Sequence, residues 1–162
     1  MLSIHNTNDI ELKNITLKDN NLYDDALHFV YSSNIKINGC SIRNAYADAI
    51  DIDISTISIS NCKIDNSVND GIDSMTSKVK INETLITNSG DKAVSVGENS
   101  DVLIISSRLE GNNIGIQTKD NSNTKIVGSK LINNIIQSSA YQKNWQYSKG
   151  GNVQILATEI YP

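Results

Sequence analysis

Residues 57–88 read ISISNCKIDNSVNDGIDSMTSKVKINETLITN and hold two copies of one pattern, an apolar-x-apolar triplet followed by a further apolar residue and an asparagine. Alternation over so few residues predicts short β-strands rather than helix turns. Related triplets recur 22 or 23 residues apart in the middle of the chain, and 25 and 29 residues apart at its two ends: Ile10-Glu11-Leu12, Ile35-Lys36-Ile37, Ile57-Ser58-Ile59, Val79-Lys80-Ile81, Val102-Leu103-Ile104, Thr124-Lys125-Ile126 and Val153-Gln154-Ile155. Such a period is typical of a solenoid.

Two further columns of residues keep the same period. One is an apolar strand anchor preceded by a small residue, at Leu27, Ile50, Ile72, Val94 and Ile116. The other holds residues that tolerate the left-handed backbone of a sharp corner: Asp19, Asn44, Asn66, Asn88, Gly111 and Asn133. Together these columns predict an all-β fold, a right-handed parallel β-helix of about six to seven coils.

The domain organisation follows from the length and from the two irregular intervals. The 162 residues suit a single domain, 1–162, with no second domain beside it. Residues 2–4 fall on the column of residues 27–29, so the chain opens in mid-coil, and we expect a piece of a longer solenoid or multidomain protein. Residues 134–152 are predicted to be an aromatic-containing insertion, either a bulged loop or cap, or a sugar-stacking platform that uses Trp145 and Tyr147.

Charge and composition exclude several function classes. The formal net charge is −4 and the lysines and arginines are scattered, which speaks against nucleic-acid binding. No apolar run is long enough to cross a bilayer. The two cysteines, Cys40 and Cys62, lie in one column of adjacent coils, where they are either buried free thiols or a disulfide.

The strongest candidate site is acidic. Six aspartates gather on one side of three successive coils, with His28 and Lys92 at the two ends; we call this set the Asp face: Asp25, Asp48, Asp51, Asp53, Asp70 and Asp73. In-register stacking would place like charges about 5 Å apart, which raises carboxyl pKa values and disfavours folding unless something offsets the repulsion.

Three interpretations of the Asp face stay open at this point. It is a structural face that hydrogen-bonds turns, a calcium site formed by Asp48, Asp51, Asp70 and Asp73, or a catalytic site with a protonated carboxyl. His28 is either a solvated neighbour or a catalytic base. Asp25 and Asp53 are candidate substrate-binding groups. The sequence leaves open whether the column of Asp48 and Asp70 faces the same groove as Asp51 and Asp73.

With these residues in view, the chain resembles the parallel β-helix repeats of the pectin-lyase-like superfamily. The order of acids and lysine is similar to that of pectate lyases, which hold calcium in Asp-rich coils. The resemblance implies Asp48, Asp51, Asp70 and Asp73 as calcium ligands and Lys92 as the base that removes a sugar C5 proton. The segments 48–53, 69–73, 90–100 and 141–147 resemble β-helix regions of large bacterial surface proteins with spore-coat-kinase-like domains.

The sequence therefore predicts a β-helix module, extracellular or on the cell surface, that binds polysaccharide or an adjacent domain of the same protein through the Asp face. A calcium-assisted polyuronate lyase or epimerase is the first alternative. A purely structural spacer is the second.

Overall fold

The computed structural model describes all 162 residues, and they form three parallel β-sheets of seven strands each. The first sheet comprises β1 (Leu2–His5), β4 (Leu27–Val30), β7 (Ile50–Asp53), β10 (Ile72–Met75), β13 (Lys92–Gly97), β16 (Ile114–Lys119) and β19 (Ile136–Tyr141). The second comprises β2 (Glu11–Lys13), β5 (Ile35–Asn38), β8 (Thr56–Ser60), β11 (Lys78–Asn82), β14 (Asp101–Ile105), β17 (Asn123–Val127) and β20 (Asn152–Leu156). The third comprises β3 (Thr16–Asn20), β6 (Ser41–Ala45), β9 (Lys63–Ser67), β12 (Leu85–Thr87), β15 (Arg108–Glu110), β18 (Lys130–Ile132) and β21 (Glu159–Tyr161).

The chain visits the three sheets in turn, so each coil adds one strand to every sheet and the predicted β-helix is confirmed. The structure has no helix, and thus none long and apolar enough to cross a membrane. The apolar columns stack in register, with Ile72 paired to Ile50 on one side and to Val94 on the other. These three side chains are completely buried in a core filled mainly by isoleucine, valine and leucine.

The predicted corner column also takes the predicted conformation. All six of its members have positive φ angles, between 52° at Asn133 and 67° at Gly111. The amides form part of a ladder, because Asn66 donates to the side-chain oxygen of Asn44 at 2.8 Å and Asn44 donates to Asp19 at 2.6 Å. Asn88 leaves the ladder and donates to Asp65 instead, at 2.9 Å.

The other corners are closed by hydroxyl and thiol ladders. Between the first and second sheets, the backbone N–H of Ser55 donates to the hydroxyl of Ser77 at 2.9 Å, and the same contact repeats from Ser32 to Ser122. Cys40 and Cys62 belong to the equivalent ladder between the second and third sheets. They are buried free thiols, and the N–H of Cys40 points at the sulfur of Cys62 at 3.4 Å. Small polar groups here satisfy backbone donors that the turns leave unpaired.

Candidate functional site

The candidate site lies on the outward side of the first sheet, across β4, β7 and β10. His28, Asp51 and Asp73 follow one another in register on these strands, each one residue after a buried anchor. Because side chains alternate along a strand, this column points away from the core. The side chains of His28 and Asp51 are nevertheless only 22% and 21% exposed, since their neighbours shield them. The site is therefore partly desolvated but open to solvent.

His28 is the centre of a compact group of ligand atoms. Its Nε2 lies 3.3 Å from Oδ2 of Asp51 and 3.4 Å from Oδ2 of Asp53. Ligand atoms of Asp25, His28 and Asp51 all lie within 4.8 Å of one another, and no other group of three or more acids, histidines or cysteines is this close. Asp25 comes from the column of Asp48 and Asp51 from the other column. Both columns thus contribute to one site, a point that the sequence leaves open.

Asp48 and Asp70 have a different environment from Asp51. Oδ1 of Asp48 accepts the backbone N–H of Asp70 at 2.7 Å and the amide of Asn69 at 2.8 Å. Oδ1 of Asp70 accepts the backbone N–H of Lys92 at 2.9 Å. Each aspartate therefore holds the corner of the next coil, as the structural interpretation of the Asp face expects. Asp73 accepts the N–H of its neighbour Ser74 at 2.9 Å through one oxygen, and its second oxygen has no hydrogen-bond partner within the chain.

Burial and repulsion raise the pKa values of four acids of this face, Asp25, Asp48, Asp51 and Asp70. Burial is the largest cause in every case, and it raises the pKa of Asp51 to about 8 with further contributions from the charges of Asp53 and Asp25. The pKa of Asp48 rises to about 7, although the N–H of Asp70 opposes the effect of burial. Burial also raises the pKa of Asp70 to about 6, against the attraction of Lys92. The face can therefore both donate and accept protons near neutral pH.

Lys92, the residue that the resemblance implies as a base, is held as a cation. Its ammonium group forms ion pairs with Asp91 and, at 3.4 Å, with Asp70. Burial lowers the pKa of Lys92, but the hydrogen bond and charge of Asp91 together with the charge of Asp70 outweigh burial, so its pKa is raised. A protonated, doubly paired ammonium group cannot accept a proton at neutral pH.

A second lysine, Lys119, was not singled out from the sequence. It is buried, and its Nζ donates to the hydroxyl of Ser95 at 3.1 Å. Ser95 lies next to Asp73 in the outward column, and Gly97 on the same strand lies beside the Lys119 side chain. A signal was present in the sequence, because Lys119 stands two residues after Gln117 and so faces the same side. Lys119 therefore places its amino group beside Ser95, one strand beyond Asp73.

The predicted aromatic insertion occupies 142–151, between β19 and β20, and is shorter than the predicted 134–152. Residues 136–141 of that range form β19, which pairs with β16 in register. Trp145 is 85% exposed, and Tyr147 is half-buried. β19 lies four strands beyond β7, or about 19 Å along the axis at the usual strand spacing. Trp145 and Tyr147 thus lie in the connection between the first and second sheets and are not part of the cluster around His28.

Asp120 anchors this loop. Its buried Oδ1 accepts the N–H groups of Lys143 at 2.7 Å and Asn144 at 2.9 Å, while the neighbouring Asn121 accepts the N–H of Lys149 at 3.0 Å. Asp120 itself has a φ of 46° at a corner, and it is fully buried. One carboxylate therefore fixes where the loop leaves the last coils.

Replacing Asp120 by Ala is expected to release the loop, because two N–H groups lose their acceptor. Trypsin cleavage at Lys143 and Lys149 should become faster by roughly tenfold, as expected for a local loss of about 1–2 kcal/mol. Fluorescence anisotropy of Trp145, the single tryptophan, should fall at the same time. The exposed Asp101, replaced by Ala, is the matched control. Equal cleavage rates in the wild type and the Asp120→Ala variant would show that other contacts hold the loop.

Comparisons with known proteins agree with this architecture. A family model described as right handed beta helix region matches residues 25–155. Among solved structures, the chain is similar to the crystal structure of pectate lyase Pel9A, with a TM-score of 0.69 and 13% sequence identity over 98% of this chain. The match covers 49% of the pectate lyase chain, so this chain spans about half the length of that protein. No curated protein matches the sequence. At this identity the structural similarity establishes the fold alone.

Proposed function

Because this chain belongs to the right-handed β-helix family, we propose that it is a polysaccharide-binding module of an exported or cell-surface protein, and that it binds the glycan through the Asp face. The observation that carries the proposal is the convergence of Asp25, His28 and Asp51, whose ligand atoms lie within 4.8 Å of one another. His28 and Asp51 are partly exposed on the outward face of the first sheet, and Asp25 is buried beside them, just before β4.

Hydrogen-bonding chemistry supports a sugar ligand. Ionised carboxylates accept strong hydrogen bonds from hydroxyl groups, and protonated carboxyls and an imidazole can donate to ring and hydroxyl oxygens. Asp51, Asp53 and Asp73 lie on neighbouring strands of one parallel sheet, so a linear glycan can contact them in succession. Asp48 and Asp70 keep the corners beside them in place and are less available to a ligand.

We also propose that a divalent cation bridges the Asp face and the glycan at Asp25, His28 and Asp51. A cation there would offset the burial and, to a lesser extent, the repulsion from neighbouring carboxylates that together raise the pKa of Asp51. Calcium, the ion expected from the carboxylates, takes oxygen ligands, whereas the imidazole adds affinity for an ion such as zinc or manganese. The proposed set shares only Asp51 with the four calcium ligands suggested by the resemblance.

The lyase alternative receives less support from the geometry. Elimination needs an unprotonated base beside the sugar C5 proton, and Lys92 is paired with Asp70 and Asp91. Binding without turnover is therefore the function that the arrangement favours. The appearance of an unsaturated uronate product, detected by its ultraviolet absorbance, would restore the lyase alternative, and loss of that product in Lys92→Ala would identify the base.

The proposal is tested by cation-dependent stability and binding. Saturating calcium, zinc or manganese is expected to raise the melting temperature of the wild type by about 5 °C or more. The double variant His28→Gln, Asp51→Asn should show no shift, and the exposed Glu83→Gln should behave like the wild type. In native gels containing soluble polysaccharides, the part of the retardation that depends on the cation should require His28 and Asp51.

Two results would contradict the proposal. Equal cation shifts in the wild type and the double variant would remove the cation site. Absence of any additional retardation on adding the cation, with every neutral and anionic polysaccharide, would leave the Asp face as a structural or partner-domain surface.

A further inference from the structure

The outward face of the second sheet carries a set of unpaired positive charges. Its four lysines from β5 to β17 are exposed, and none forms an ion pair or a side-chain hydrogen bond: Lys36, Lys78, Lys80 and Lys125. Asp101 is the one acid on these strands of the face, and its carboxylate accepts the amide of Asn123 at 3.0 Å. The adjacent strand β2 adds one further acid, Glu11, which pairs in register with Lys36. Lysines still outnumber acids on this face, in a chain with a formal net charge of −4.

Three of the lysines surround a shallow trough of about 340 Å³, which we call the lysine trough and define by Lys36, Thr56, Ser58, Lys78 and Lys80. The trough exists because β8 carries small side chains between longer neighbours. Ser58 pairs with Lys36 on one side and Lys80 on the other, and Thr56 pairs with Lys78. Two hydroxyls therefore form the floor. Ammonium groups form most of the walls, and Asn34 and Asp101 belong to the lining as well.

The lysines also repeat along the solenoid axis. The central outward column of the second sheet runs Lys36, Ser58, Lys80, Leu103 and Lys125 in unbroken register. Lysine thus occupies every second coil, which gives a charge separation of about 9.6 Å along the axis. A second shallow depression, lined by Leu103 and Lys125, continues the trough toward the later coils.

We propose that the lysine trough binds a linear anionic polysaccharide that lies along the solenoid axis with its carboxylate or sulfate groups beside Lys36, Lys80 and Lys125. Charge complementarity is the first argument, since the ammonium groups lack partners within the chain. Spacing is the second. One pyranose residue of an extended glycan is close in length to one coil step, so alternate sugars meet successive lysines, and sugar hydroxyls face Ser58 and Thr56.

The lining of the trough favours a glycan over a nucleic acid. Single-stranded nucleic acids bind through aromatic side chains on which bases stack, and no aromatic residue lines the trough or its continuation. Lysine supplies a point charge on a flexible stem, which suits carboxylate and sulfate groups of variable orientation. This surface belongs to a different sheet from the Asp face and does not depend on the cation proposed there.

The test is affinity electrophoresis in gels containing polygalacturonate or dextran sulfate, in EDTA and at low salt. The wild type should be retarded by both polymers and not by neutral dextran. Lys36→Gln, Lys80→Gln should weaken binding by roughly tenfold. Lys18→Gln, Lys63→Gln removes two exposed, unpaired lysines of the third sheet and is the matched control, because it changes the net charge equally. The control should bind like the wild type.

The Asp-face variant His28→Gln, Asp51→Asn separates this proposal from the proposed function, since it should keep full retardation in EDTA. Loss of retardation in that variant, or equal losses in both lysine double variants, would overturn the assignment to the lysine trough. Absence of retardation of the wild type by both anionic polymers would overturn it as well. Equally strong binding of duplex DNA would show charge attraction without selectivity for a glycan.

Discussion

The metal-free protein is expected to unfold at a higher temperature near pH 5 than near pH 8, by on the order of 5 °C. The pKa values of Asp48, Asp51 and Asp70 are raised by burial to about 7, 8 and 6 in the folded chain. In the unfolded chain these carboxyls titrate near the ordinary aspartate value of 3.8. Between the unfolded pKa of 3.8 and these raised pKa values, the folded chain therefore binds more protons than the unfolded chain. This contribution to stability is complete below about pH 3.8 and is lost as the pH rises through about 6 to 8.

Single substitutions should identify which carboxyls lower the melting temperature as the pH rises. In Asp48→Asn the amide oxygen can still accept the N–H of Asp70, but the charge is gone. This variant should melt higher than the wild type near pH 8 and like it near pH 5. Asp65 is the control, because a hydrogen bond from Thr87 lowers its pKa, and Asp65→Asn should not stabilise at either pH. A wild-type melting temperature that rises from pH 5 to pH 8 in EDTA would contradict the prediction.

Replacing Ile72 by Ala is expected to lower the free energy of unfolding by about 2–5 kcal/mol. Ile72 is completely buried in a middle coil, between Ile50 and Val94 in the same apolar column. Neighbouring coils cannot close the gap, because their positions are set by hydrogen bonds on both sides of β10. Urea denaturation should therefore show a lower midpoint for this variant than for the wild type.

The control makes the same chemical change at an exposed site. Ile135 is 80% exposed, so Ile135→Ala should change the free energy of unfolding by less than about 0.5 kcal/mol. If both variants lost the same stability, the stacked apolar column would not be the main source of cohesion in the solenoid.

Most of the fold was predictable because a solenoid converts sequence period into spatial neighbourhood. Once Ile50, Ile72 and Val94 are assumed to stack, strand register and inward or outward direction follow for every coil. The left-handed corner at Asn44, Asn66 and Asn88 was predictable for the same reason, since few residues tolerate that backbone conformation. The start of the insertion was not, because Ile136–Tyr141 lacks the apolar anchor found in the other coils and still pairs as β19.

The site was predictable as a region but not as a set of contacts. Asp25, His28 and Asp51 all stood among the candidates, yet the four calcium ligands implied by the resemblance are not the group that converges. Corner geometry separates the roles, since Asp48 and Asp70 accept backbone N–H groups of the following coil. Lys92 is likewise engaged by Asp91 and Asp70. The repeat position of a residue determines which side of the solenoid it faces, whereas its side-chain conformation determines which groups it contacts.

The sequence by itself determined the coil, the register of the stacked columns and the gathering of aspartates on one side, because these depend on spacing along the chain. The tertiary structure alone decided that Asp25 and Asp51, from two different columns, meet at His28, and that Asp48, Asp70 and Lys92 are held within the corners. These features arise from distances between atoms of different coils, which depend on burial and side-chain direction and are not encoded in a period.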